Sequence, residues 1–230
     1  LIVHYHNLRM LRNDCEINDS FLKLYKKFCP GPITFILKLK NDSKISKNVT
    51  NKKKTLAVRF PSHPLTRNLL KQLNYPLAAP SANISTKISP VSKKDVKEEF
   101  GNKVKLVLDG GQSMVGIEST IVNLINKPQV LRLGGVTKNQ IKKYLNSHLV
   151  YKNKSNINSP GQGKTHYSPY IKLRMNVKKA NRNEAFILIK KRKEIKKNYF
   201  YLSKNNNLKE AAKNLYKILR IIKNKKFESI

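Results

Sequence analysis

Apolar positions along the chain alternate between strand and helix spacing, and proline, glycine and asparagine mark the breaks. Residues 1–6 read as a strand, with Leu1-Ile2-Val3-His4-Tyr5 apolar enough for an interior one. Asn18-Asp19-Ser20 caps a helix running to Phe28, with Phe21, Leu24, Tyr25 and Phe28 on one face. Cys29-Pro30-Gly31-Pro32 stops it, because proline cannot continue the ladder and disfavours helix just before itself. Residues 33–39 are rich in strand formers, 40–54 form a polar basic loop, 55–60 a strand and 64–73 a helix. Ser92 and Asp95 make a capping box for a helix to Phe100, with Gly101 as its stop. Residues 104–108 read as a buried strand ending in the turn Asp109-Gly110-Gly111. Residues 119–125 and 130–133 read as a hairpin across Asn126-Lys127-Pro128. Thr137 and Gln140 form a second capping box, opening a helix through Leu145. Strands and helices mixed in this way predict a twisted mixed sheet carrying helices, an α/β fold.

Residues 151–169 lack periodicity and carry Pro160, Gly161, Gly163 and Pro169, so they read as a linker or functional loop. Strands at 185–189 and 199–202 follow. A strong amphipathic helix then starts at Asn207, with Leu208, Ala212, Leu215, Leu219 and Ile222 in step. The expected division is a first domain over 1–150, a linker and lid over 151–170, and a partial α/β domain over 171–230. A domain of roughly 60 residues is small for this class. The chain also opens inside a strand without methionine, so a fragment shortened at both ends is expected. No signal peptide shows, and no apolar run approaches the ~18 residues of a membrane span.

Composition adds charge to this outline. Of 230 residues 48 are Lys or Arg and 13 Asp or Glu, a net charge of +35. Such a balance points to polyanionic partners, and salt would weaken the attraction. The excess is spread over both halves of the chain, so a general drift of the surface toward lysine explains it equally well. Cys15 and Cys29 make no C-x-x-C pair and no zinc pattern with the five histidines. They read as packing residues in a reducing, cytoplasmic setting, with no metal site.

The segment Leu77-Ala78-Ala79-Pro80-Ser81-Ala82-Asn83-Ile84-Ser85, closing with Ser89-Pro90, carries the first candidate chemistry. Small residues followed by Ser, Asn and Ser place backbone N–H groups and compact polar side chains where a helix begins, a natural anion cradle. A serine-rich turn with ordinary helix caps is the competing reading.

Six further motifs stand in order with that segment. They are Phe28-Cys29-Pro30-Gly31-Pro32-Ile33-Thr34, Ala57-Val58-Arg59, Asp109-Gly110-Gly111, Gly116-Ile117-Glu118-Ser119-Thr120, Leu131-Arg132-Leu133-Gly134 and the linker from Ser159 to Pro169. Together they resemble the YrdC-like family of threonylcarbamoyl-AMP synthases in its long, two-domain form, over essentially the whole chain. The resemblance implies a YrdC-like twisted mixed sheet with flanking helices, an interdomain linker and a partial Rossmann-like C-terminal domain.

It also implies a reaction. L-threonine, bicarbonate and ATP, with Mg2+ accompanying the nucleotide, give threonylcarbamoyl-AMP and pyrophosphate. A separate transferase complex then modifies an adenosine of certain tRNAs. On this resemblance His4, Arg59, Ala79 and Ser119 match threonine-side positions. Thr55, Ser81, Ser89, Arg132 and Tyr167 match nucleotide-side positions, with Asn83 and His166 as support. The protein's task is positioning and neutralising charge, so no residue takes a covalent catalytic role. Arginine suits both anions because its planar fork grips carboxylate or phosphate with two parallel bonds.

Gln162, Gly163, Lys164 and Thr165 depart from the family's usual linker residues, and a lysine-x-arginine segment of the family is expected ahead of Leu1. Two other readings stand beside the synthase. One is a non-catalytic protein binding double-stranded RNA or tRNA, favoured by the charge but lacking interleaved aromatic stacking motifs. The other is a carbamoyltransferase of the hydrogenase-maturation type, disfavoured by the absence of zinc-finger cysteines.

Overall fold

The computed structural model describes residues 1–145, 150–151, 167–192, 194 and 196–230, without the side chains of Val150 and Tyr151. The strands are β1 (Ile2–His4), β2 (Ile33–Lys38), β3 (Thr55–Arg59), β4 (Leu77–Ala79), β5 (Thr120–Asn123), β6 (Gln129–Arg132), β7 (Val150–Tyr151), β8 (Phe186–Lys190) and β9 (Tyr199–Ser203). The helices are α1 (Leu8–Asp14), α2 (Asp19–Phe28), α3 (Lys47–Thr50), α4 (Pro64–Gln72), α5 (Lys93–Phe100), α6 (Lys138–Lys142) and α7 (Leu208–Lys223). Two compact units form: residues 1–80 with 118–162, and residues 81–117 with 163–230. No helix among the described residues is long and apolar enough to cross a membrane.

The first unit is built on a seven-stranded sheet in the order β4-β1-β3-β2-β5-β6-β7. Its pairings are mixed, as expected: β1 with β3, β2 with β5 and β6 with β7 run parallel, and the others antiparallel. Strand β3 shows why one face is core. Leu56 and Val58 are buried, whereas Thr55, Ala57 and Arg59 alternate onto the other face. The predicted stripe of α2 covers the core side. Phe21 meets Phe35 edge-on at 5.0 Å, and Tyr25 meets Phe60 at 4.8 Å. Asn18 caps α2 by accepting from the Phe21 N–H, a contact that contributes about 1 kcal/mol. Behind the core, Tyr5 and Ser43 both donate to the buried carboxylate of Asp14.

The second unit pairs β8 with β9 in parallel and packs α7 over them. Its core gathers Ile88, Val91, Ala185, Tyr216, Leu219, Ile222 and Ile230. Both predicted capping boxes are present, at Ser92 with Asp95 and at Thr137 with Gln140, the latter opening the first unit's α6.

Four expectations fail locally. Residues 104–108 form no strand, and Leu106 is 75% exposed. β-propensity expresses fit to a half-buried pleated surface, and among the described residues no strand pairs with this segment. No helix begins in the Ser81–Ser85 stretch; Asn83 instead ties its own turn by donating to the carbonyls of Ile84 and Lys87. The polar loop 40–54 contains the short helix α3, capped by Ser46. Helix α1, capped by Asn7, lies where the pattern gave no element.

Candidate active site

Strand register assembles a polar row on the face of the first unit's sheet opposite its hydrophobic core. Pairing sets His4 beside Arg59, and Arg59 beside Thr34. Alternation puts all three opposite the core residues Val3, Val58 and Phe35. The next rung on that face is Ala79, Ile2, Ala57 and Ile36, small or apolar and about 7 Å away at ~3.4 Å per residue.

Glu118 and Ser119 enter this row just before β5. The hydroxyls of Ser119 and Thr34 lie 2.7 Å apart. Arg132 donates from Nη2 to Ser119 Oγ and from Nε to the Ser119 carbonyl, both at 3.0 Å. Its Nη2 is 3.8 Å from the Glu118 carboxylate. Gly134 allows this close approach: a Cβ there would stand 2.3 Å from the Glu118 carbonyl oxygen and 2.6 Å from the Thr120 nitrogen. Gly135 N–H donates to that same carbonyl, and Val136 holds the Thr120 hydroxyl from both its N–H and its C=O. The segment after β6 thus braces the segment before β5.

The electrostatics leave this row short of acceptors. Arg59 Nε is buried without a hydrogen-bond partner among the described residues. Burial lowers the Arg59 pKa most; Glu118 pulls it back up and Arg132 adds to the lowering. A guanidinium stays protonated and can only donate. A desolvated donor of this kind is relieved by an anion, most strongly by one that takes two parallel bonds. Burial, then the charge of Arg59, also lowers the pKa of His4. His4 Nδ1 lies 3.3 Å from the Leu77 carbonyl, which only accepts. A neutral ring with its proton on Nδ1 satisfies that contact and leaves Nε2 as an acceptor.

The sequence and the fold have known counterparts. Residues 1–134 match the Sua5, YciO and YrdC family described as telomere recombination. Residues 136–230 match the C-terminal domain of threonylcarbamoyl-AMP synthase. A threonylcarbamoyl-AMP synthase of Pyrococcus abyssi is 32% identical over 96% of this chain and 70% of its own length. This chain belongs to the threonylcarbamoyl-AMP synthase family. A Bacillus subtilis synthase is 37% identical over 74% of the chain, which spans only 50% of that relative. The crystal structure of P. abyssi Sua5 complexed with L-threonine superposes on all of this chain and 73% of its own, with a TM-score of 0.85 at 28% identity.

The other family-implied residues fall as follows. Ala79 belongs to the small rung beside His4, on β4. Thr55 shares a face with Arg59 but lies four residues away, about 13 Å along the strand. Ser81, Asn83, Ser89 and Tyr167 belong to the second unit. Ser81 is exposed there and Ser89 buried. Asn83 buries an Oδ1 without a partner among the described residues. The Tyr167 ring stacks on Tyr216, centroids 5.5 Å apart. His166 and the divergent residues 162–165 lie outside the described residues. Thr34, Glu118 and Gly134 received no role from sequence, although each sits inside a family motif. Their signal was there; their contacts were not, because each acts on a residue at least 13 positions away or through a partner's backbone.

Proposed function

We propose that this protein is an L-threonylcarbamoyladenylate synthase, joining L-threonine, bicarbonate and ATP into threonylcarbamoyl-AMP with release of pyrophosphate. The observation that carries the reading is the buried Arg59 Nε without an acceptor, set between a neutral His4 and the Arg132–Ser119–Thr34 cluster. A carboxylate completes that row. Arg59 grips one or both oxygens, and Ser119 lies two strands further on, beside Thr34. His4 Nε2 accepts from the substrate's hydroxyl or ammonium group. Ala79 and Ala57 leave room for the substrate's small side chain.

The threonine amine adds to the carbon of bicarbonate, and water leaves, giving a carbamate. A carbamate oxygen then forms a bond to the α-phosphorus as the bond to pyrophosphate breaks. The protein supplies alignment and positive charge for this displacement. Arg132, Thr55, Ser81, Ser89 and Tyr167 are the nucleotide-side residues of the proposal, with Asn83 and His166 supporting them. Mg2+ belongs to the proposal as an ion carried on the phosphates with its own waters. Among the described residues no three His, Cys, Asp or Glu gather to hold it. We place the protein in the cytoplasm, upstream of a tRNA threonylcarbamoyl-transfer machinery. The division at residues 150 and 170 also remains ours.

Calorimetric titration of L-threonine with and without ATP, beside threonine-dependent pyrophosphate release, tests the reading. Saturable threonine binding coupled to ATP supports it. RNA binding that weakens steeply with salt, with no threonine–ATP coupling, would replace it with the RNA-binding alternative that the +35 charge favours.

A further inference from the structure

The Thr34–Ser119 pair holds one more proton than the described residues offer acceptors for. Thr34 is fully buried, and the partner of its hydroxyl among the described residues is Ser119 Oγ. Ser119 Oγ already receives a hydrogen from Arg132 Nη2. A guanidinium only donates, so that bond occupies one of the serine's two lone pairs. The contact between the hydroxyls then uses a single proton, supplied from one side or the other. If Ser119 donates, the Thr34 proton is stranded in a fully enclosed position on a central strand, which proteins avoid. If Thr34 donates, the second lone pair of Ser119 is filled and the serine's own proton is left over. Two bonds directed into one oxygen also polarise its O–H and strengthen it as a donor.

We propose that Thr34 is a positioning residue: it donates to Ser119 and thereby commits the Ser119 hydroxyl to donate to the amino-acid substrate's carboxylate. The inference rests on the synthase reading. It adds a residue that touches no substrate and sets the direction of one that does. With the carboxylate in place, every donor of the cluster has an acceptor: Thr34 to Ser119, Arg132 to Ser119, and Ser119 to the substrate. The Thr34 methyl packs in the sheet whichever way the hydroxyl points, so the role lies in the O–H alone.

The experiment compares Thr34→Val, which keeps the shape and loses the donor, with Thr34→Ser, which keeps the donor. KM for L-threonine and for ATP, together with kcat, are measured by pyrophosphate release, and folding is checked by thermal melting. Thr34→Val raises the threonine KM about tenfold, the size of one lost bond to a charged group, and leaves the ATP KM within about twofold. Thr34→Ser restores the threonine KM. In a Ser119→Ala background Thr34→Val adds little further. If Thr34→Val does not fold, Thr34→Cys, a similar volume with a weak donor, takes its place. A folded donor-less variant with the wild-type threonine KM overturns the proposal. So does an equal rise in both KM values, or an effect that persists undiminished in Ser119→Ala. A wild-type protein without threonine-dependent turnover overturns the synthase reading itself, a result no Thr34 variant can mimic.

Discussion

Arg59 in the first unit and Arg220 in the second are both largely enclosed, yet among the described residues only Arg59 keeps a buried donor without a partner. Arg220 donates to the Ile88 and Ser89 carbonyls and lies 3.7 Å from Glu99 and 4.0 Å from Asp95. Glu99 is itself nearly buried and also faces Lys87 and the Ile84 N–H. Two carbonyls and two carboxylates answer the charge of Arg220, so it acts as a clamp between α7, α5 and the 84–89 turn. Arg59 has burial without that answer. Burial alone therefore does not single out a candidate binding arginine; an unmatched donor does.

Exchanging the two arginines' fates is the sharpest way to break this contrast. Arg220→Ala should destabilise the second unit by about 1–3 kcal/mol, because it leaves the Ile88 and Ser89 carbonyls without their donor and the nearly buried Glu99 carboxylate with Lys87 and the Ile84 N–H in its place. Denaturant melts followed by fluorescence or hydrogen exchange would report it, and threonine affinity measured on the remaining folded protein should hold. Arg59→Ala should do the reverse. It should cost threonine affinity about 100-fold and ATP affinity far less, with unchanged or raised stability. Equal loss of both ligands would remove Arg59 from the carboxylate role.

The glycines offer a second paired test of about 1–3 kcal/mol, the usual size of overpacking. Gly134→Ala drives a Cβ into the backbone of residues 118–120 and should weaken threonine binding together with stability. Gly116, at φ +75, would drive its Cβ to 2.3 Å from the Lys213 carbonyl oxygen of α7, so Gly116→Ala should lower stability without a selective threonine effect.

The units should also differ in acid. In the second, Arg174 above all, with the Asn181 N–H and Ser229, holds the Glu184 carboxyl down at about 2. A lowered carboxyl pKa means stability that is complete above pH 4.5 and falls as the pH drops toward about 2. Glu184→Gln should flatten that limb of a melting-temperature profile. The smallest effect belongs to His4. Its lowered pKa gives stability that is complete above pH 6.5 and lost as the pH falls through the folded value. Threonine affinity should fall over the same range, because the protonated ring no longer accepts at Nε2 and would stand charged beside Arg59. His4→Gln, which retains an acceptor, should abolish that limb. His6, whose pKa burial, Arg67 and Lys71 also lower, would leave a residual slope in stability but not in affinity.

Much of the architecture was readable locally. The stripe on α2, both capping boxes, the proline opening α4 and the hairpin of β5 and β6 follow from spacing and turn chemistry within a few residues. The failures share a cause. Residues 104–108 have strand composition, but a strand exists only where another edge receives it. Ser81-Ala82-Asn83 looks like a helix start, but the Asn83 side chain satisfies the local backbone by itself.

Residue types and their order along the chain were enough to name the kind of fold, to place the two arginines and the serine in family motifs, and to expect anions as ligands. Nothing in that order says that His4, Arg59 and Thr34 stand in one row, that Ser119 is held by Thr34 and Arg132, or that Gly134 exists to let two backbones meet. Those facts come from strand pairing and its flanking segments across 13 to 85 positions, where hydrogen-bond register decides which side chains become neighbours. Periodicity reports which face a residue occupies; only the folded sheet reports who stands beside it, and which donors are left without an acceptor.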